Sequence, residues 1–184
     1  MGRVLLLYAT THGHTAKIAA RIADALRGGG LEVDLRDVKD TGDADPAGHK
    51  GVIVGASVHA GHHQRKMVDW VKNHRAGLEV VPSAFFSVSL TAAEDADEAR
   101  EATQGCIDVF LEDTGWTPER SVPLAGALQY REYDVFTRVL MRLKMRGDGH
   151  PTDASHDYDY TDWDAVDRFG REFAALVAGA DRRS

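Results

Sequence analysis

A single cysteine, Cys106, in 184 residues excludes an internal disulfide and any multi-cysteine metal or iron–sulfur centre. It falls in a helical pattern and reads as a small buried apolar group. Long hydrophobic runs are missing, so no membrane-spanning helix is expected. Leu5-Leu6-Leu7 is too short for a signal peptide and leads directly into a turn. After Met1-Gly2, Leu6 stands where myristoylation wants Ser or Thr. Positive charge is scarce: the formal net charge of −7 argues against general nucleic-acid binding. Neither common nucleotide loop occurs, because there is no Gly-Lys-Ser/Thr and no G-x-G-x-x-G spacing. A soluble, cytoplasmic protein is expected, attached at most to the inner face of a membrane.

With 43% hydrophobic and 28% charged residues, the chain has the proportions of one soluble globular domain over 1–184, large enough to bury a full core. The start is the most informative stretch. Arg3 to Ala9 is a short apolar run, followed at once by Thr10-Thr11-His12-Gly13-His14-Thr15 and then by an alanine-rich helical pattern. Such a turn directs hydroxyls, backbone N–H groups and the positive end of a helix at one place, which suits a phosphate. Gly13 permits close backbone approach, and Thr10, Thr11 and Thr15 each carry a hydroxyl. The spacing Thr-x-x-Gly-x-Thr resembles the FMN phosphate loop of flavodoxins.

A helix is expected from about Thr15 to Arg27, with Ile18, Ala19, Ile22, Ala23 and Leu26 on its apolar face and Gly28-Gly29-Gly30 ending it. Leu31 to Arg36 alternates strictly and predicts a strand with one wet face. Gly51 to Ala56 and Ala84 to Val88 do not alternate, as in parallel strands covered on both sides. A fifth strand, Ser121 to Ala127, contains Pro123 and belongs at an edge. Helical patterns occupy about 64–75 and 95–111. The last helix is predicted to begin near Thr161, with Thr161-Asp162-Trp163-Asp164 as a capping box, and to bury Val166, Phe169, Phe173, Leu176 and Val177. These elements predict an α/β fold, a flavodoxin-like doubly wound five-stranded parallel sheet of order 2-1-3-4-5. An insertion of about 129–160 separates the fifth strand from the last helix, far longer than an ordinary β-α loop.

In such sheets a ligand lies beyond the C-terminal strand ends. Three loops leave those ends: the turn at Thr10 to Thr15; Ser57-Val58-His59-Ala60-Gly61-His62-His63; and Ser87-Val88-Ser89-Leu90-Thr91. A planar redox ring between the second and third would meet backbone polar groups at its edge and Val58 and Leu90 at its faces. The clustered His59, His62 and His63 invite a metal, but no carboxylate lies between Ser57 and Met67 to support one, so no metal site is expected. No side chain stands out as an obligatory acid or base. The insertion carries a helical pattern from Tyr133 to Arg146 in which Arg138, Arg142, Lys144 and Arg146 form a local basic patch. Such a patch suits a carboxylated ligand or an anionic membrane surface.

Over nearly its whole length the chain resembles the flavodoxin-like menaquinone-dependent protoporphyrinogen IX dehydrogenases. The likeness is carried by Thr10 to Thr15, by Val52 to Ser57 with Gly61-His62, and by Pro82 to Val88. It continues through Ala125-Gly126-Ala127-Leu128 with Tyr130 and Tyr133, and ends in Tyr160-Thr161-Asp162-Trp163. The resemblance implies FMN as cofactor, held by Thr10, Thr11, His12, Gly13, His14 and Thr15 at the phosphate. Ser57, Val58, His59, Ala60, Gly61, Ser87, Val88, Ser89, Leu90 and Thr91 would hold the ring. It further implies a porphyrinogen substrate in haem biosynthesis, a quinone acceptor and peripheral membrane association. Two alternatives remain open: a flavodoxin-type electron carrier, and a flavin-dependent quinone reductase with another donor. Oligomerisation is compatible with the sequence and not specified by it.

Overall fold

The computed structural model describes residues 2–41, 44–128 and 158–182. The first apolar run forms β1 (Arg3–Ala9), and the alanine-rich pattern forms α1 (His14–Gly28). There follow β2 (Glu32–Asp37), β3 (Gly51–His59), a two-residue β4 (His62–His63), α2 (Arg65–Leu78), β5 (Ser83–Ser89) and α3 (Asp97–Thr114). The chain continues through β6 (Arg120–Ala125), β7 (Ala127–Leu128), β8 (Tyr158–Asp159) and a last helix, α4 (Trp163–Asp181).

Five strands pair in parallel in the order β2-β1-β3-β5-β6, while β4 folds back antiparallel on the end of β3. Without that short hairpin strand, the sheet has the expected 2-1-3-4-5 order. The fifth strand is shorter than expected. It stops at Ala125, where Gly126 N–H bonds back to Ser89 O at 3.0 Å, and Ala127–Leu128 pairs instead with β8.

Adjacent residues of a strand face opposite sides, and here both sides are covered. Val4, Leu6, Ile53 and Phe86 pack with Ile18, Ile22 and Leu26 of α1 and with Val166, Phe169, Phe173 and Val177 of α4. Leu5, Leu7, Val54 and Phe85 pack with Met67 and Val71 of α2 and with Ile107, Phe110 and Trp116. This two-sided burial is why β1 and β3 read as unbroken apolar runs. Each such aliphatic side chain contributes about 1.5–3 kcal/mol on leaving water. Gly55 has no Cβ because the Phe86 ring crosses it: a Cβ there would lie 1.9 Å from Phe86 Cζ.

Strand β2 keeps its alternation at the sheet edge. Val33 and Leu35 lean on the α1 side, while Asp34 pairs with Arg36 at 2.8 Å. Helix α4 departs from the expected cap. Asp162, not Thr161, accepts the N–H of Ala165, at 3.0 Å, and the helix starts at Trp163. Leu176 is only partly buried. The C-terminal ends of β1, β3, β5 and β6 lie together, and the stem of the insertion, β7–β8, rises from the same end.

Candidate functional site

The first loop occupies the step from β1 into α1. Thr10 Oγ1 accepts the N–H of Gly13 at 2.9 Å, folding the turn on itself. Gly13 caps α1 with φ +84°, and nothing lies within 4 Å of where its Cβ would stand. No side chain caps the helix, and its first turn holds no acidic residue. The first-turn N–H groups and the positive helix end are therefore left for an external anion. His14 and Thr15, the first helical residues, are both buried.

The His14 side chain points away from the turn. Thr161 gives its hydroxyl proton to Ala125 O at 3.0 Å, so in the 2.7 Å contact with Thr161 Oγ1 it is His14 Nε2–H that donates. The proton placement follows from that single-hydrogen count. Burial pushes the His14 imidazole below its ordinary value, against the pull of Asp159 at 3.6 Å and with a smaller push from Lys17. Thr161 is thus not a helix cap but a clamp between the first loop, the end of β6 and the start of α4.

The second loop is a tight hairpin. Val58 pairs with His63 and His59 with His62 around Ala60-Gly61, whose φ values of +49° and +81° are both left-handed. That is the signature of the type I′ turn, which matches the twist of paired strands. Its exposed tip faces the first loop, with the His12 and His59 ring centres 6.0 Å apart. The histidines differ sharply in setting. His59 and His62 are exposed. His63 instead packs edge-on against the stacked rings of Phe85 and Phe110, ring centres 5.4 and 5.0 Å away, and its Nε2 meets Ser87 Oγ at 2.9 Å. Burial, helped by the neighbouring His62, lowers its pKa to about 4. Cys106 is half-buried rather than lost in the core, with its thiol 3.7 Å from Gly61 O and raised in pKa by burial.

The residue that joins the loops is Gln64, which the sequence did not single out. It caps α2, and its Nε2 donates to Ser57 Oγ at 2.5 Å and to Thr11 Oγ1 at 3.2 Å. No local pattern marks such a residue, because its partners lie 7 and 53 positions away. In the third loop Ser87 and Val88 are buried. Val88 belongs to the core beside Leu124, so only its backbone borders the loop. Ser89 Oγ accepts the N–H of Ala92 at 3.2 Å, and Leu90 and Thr91 are half-buried. Arg138, Arg142, Lys144 and Arg146 lie outside the described residues, as do Tyr130 and Tyr133.

The three loops thus form one rim of hydroxyls and backbone N–H groups, stitched by Gln64 between the first and second and by His63–Ser87 between the second and third. Among the described residues, no three His, Cys, Asp or Glu side chains gather as a metal site. None of the described helices is long and apolar enough to cross a membrane. The open space over Gly13 and Gly61 and the uncapped helix start fit a phosphate ester carrying a flat, acceptor-rich group.

The flavodoxin domain family matches residues 5–155. A protoporphyrinogen IX dehydrogenase (quinone) of Leishmania major is 39% identical over 178 residues, 95% of this chain and 75% of that protein. The protein of the same name from Escherichia coli K12 is 33% identical over 175 residues, 95% of this chain and 96% of that one. Among solved structures, oxidised flavodoxin 1 from Bacillus cereus superposes with a TM-score of 0.57 at 16% identity, covering 94% of this chain and 97% of that one. A flavodoxin from the domain Archaea gives 0.54 at 15% identity, covering 96% and 99%. These two likenesses concern the fold.

Proposed function

The chain belongs to the flavodoxin domain family and, within it, to the quinone-dependent protoporphyrinogen IX dehydrogenases, and from this we infer that it is an FMN oxidoreductase that takes protoporphyrinogen IX to protoporphyrin IX with a quinone as acceptor. The observation that carries the site assignment is the uncapped start of α1 behind Gly13, which leaves backbone N–H groups for a phosphate. Bound FMN supplies the two-electron chemistry. The residues supply the rest. Thr10, Thr11 and the first turn of α1 hold the phosphate. Ser57 to Gly61 and Ser87 to Thr91 border the ring. The I′ hairpin fixes the backbone of Ala60 and Gly61 at the rim, where it would meet the edge of the ring. Arg138, Arg142, Lys144 and Arg146 offer positive charge for the substrate's carboxylates and for the inner face of an anionic membrane.

Purified protein should be yellow, release about one FMN per chain, and oxidise protoporphyrinogen faster when a menaquinone analogue is added. Colourless protein that takes up no FMN would overturn the cofactor assignment. Flavin-loaded protein that leaves protoporphyrinogen untouched with the quinone present would overturn the substrate assignment while sparing the site.

A further inference from the structure

The hydroxyls around the rim share a property that their spacing does not reveal. Thr10 Oγ1 accepts from Gly13 N–H, and Ser89 Oγ accepts from Ala92 N–H. Thr11 Oγ1 and Ser57 Oγ both accept from Gln64 Nε2. A hydroxyl has one proton and two lone pairs. In each of these four the protein occupies a lone pair, and no acceptor among the described residues takes the proton. The protons are left for whatever enters the cleft, so the rim is poised to donate. An acceptor-only group, such as a phosphate ester or the carbonyl and imine edge of a flavin, matches that polarity. A ligand that must itself donate does not.

Two of the four hydroxyls are set by backbone N–H groups. The other two, on separate loops, are set by one side chain. We propose that Gln64 is a positioning residue whose amide orients the Thr11 and Ser57 hydroxyls as donors to the flavin nucleotide, one at its phosphate end and one at its ring end. This rests on the FMN reading above and adds to it a source of polarity. Gln64 touches no cofactor itself. It acts through the two hydroxyls and also fixes the distance between their loops. Its own Oε1 is buried without a hydrogen-bond partner. A buried orphan acceptor is destabilising in itself, so its retention is consistent with the amide being held for the benefit of its other end.

The test reverses the polarity while keeping the shape. Gln64→Glu places only acceptors at this position, so Thr11 and Ser57 must turn their protons onto the carboxylate. Gln64→Met keeps the length and removes the bonds altogether. Affinities for FMN and for riboflavin are read by flavin fluorescence at high salt, which screens direct repulsion between the introduced carboxylate and the phosphate. Far-UV circular dichroism checks that each variant is folded. Gln64→Met should bind FMN about three- to tenfold more weakly than wild type, and Gln64→Glu at least about a hundredfold more weakly. Riboflavin has no phosphate to repel, yet it should also lose about tenfold in Gln64→Glu, more than in Gln64→Met, through Ser57. The visible flavin band should shift in Gln64→Glu. If Gln64→Glu binds riboflavin as well as wild type, or better than Gln64→Met does, the amide does not set donor polarity and the proposal falls. Wild-type protein that binds neither flavin would instead remove the cofactor reading beneath it, a distinct result.

Discussion

The loops that leave β1 and β3 stand side by side at the rim and are held in opposite ways. The turn at Thr10–Gly13 is closed by one hydrogen bond between residues three apart and by the helix that follows it. The hairpin at Ser57–His63 is held by side chains that reach far along the chain. His63 reaches Ser87, 24 positions on, Gln64 reaches Thr11, and the Gly61 carbonyl meets Cys106, 45 positions on. The first loop is closed locally, and its distant partners Gln64 and Thr161 fix where it sits. A loop held by tertiary contacts keeps its shape only while α2, α3 and β5 are in place, so it reports on the integrity of the domain.

The largest expected effect sets the two glycines against each other. Gly13 and Gly61 have similar left-handed φ, +84° and +81°, with open space around both. Valine at either position costs about 1–2 kcal/mol of backbone strain, so Gly13→Val and Gly61→Val should lower the melting temperature similarly. Only Gly13→Val fills the space over the helix start, and it should weaken FMN binding at least about a hundredfold. Gly61→Val borders the ring, so it should weaken riboflavin binding as much as FMN binding, whereas Gly13→Val should weaken FMN far more than riboflavin. Equal losses of the two flavins in Gly13→Val would mean that the phosphate does not sit over Gly13.

A second effect belongs to the hairpin alone. With a folded-state pKa of about 4 against the ordinary 6.5, His63 stays neutral in the fold while the unfolded chain takes up a proton. The unfolded state therefore binds more protons between those values, and stability is full above pH 6.5 and lost as the pH falls towards 4. The loss from this one group is about 3 kcal/mol. His14, shifted in the same direction, adds to it. Urea midpoints at pH 7 and pH 4.5 should differ less in His63→Gln than in wild type. An unchanged difference would show that the acid sensitivity lies elsewhere.

The smallest effect concerns Ala60, the one non-glycine residue with positive φ among the described residues. Ala60→Gly removes the steric strain at +49° and should raise stability by about 0.5–1 kcal/mol, without changing FMN affinity. A drop in the melting temperature would show that neighbours, not the turn, impose this conformation.

The same contrast explains what could be read from the chain. The turn, the start of α1 to within one residue, and the order of the five parallel strands rest on local patterns: Thr-x-x-Gly-x-Thr, the Ile18–Leu26 stripe, and apolar runs against an alternating one. The hairpin strand β4, the burial of His63 and the reach of Gln64 depend on residues that only the fold brings near. Thr161-Asp162-Trp163-Asp164 shows both outcomes in four residues. The helix start was legible, but which side chain caps it was not, because Thr161 is engaged by Ala125 and His14 from other parts of the sheet.

The paired β7 and β8 act as a clasp. Ala127 faces Asp159, Leu128 faces Tyr158, and Tyr160 N–H closes on Gly126 O at 3.2 Å. The stretch 129–157 therefore leaves and re-enters the domain at a single point. The pairings of the five parallel strands all lie within residues 3–125, and the clasp closes them off from that stretch. A lineage holding this frame can thus change what the domain meets at its rim without renegotiating how it folds.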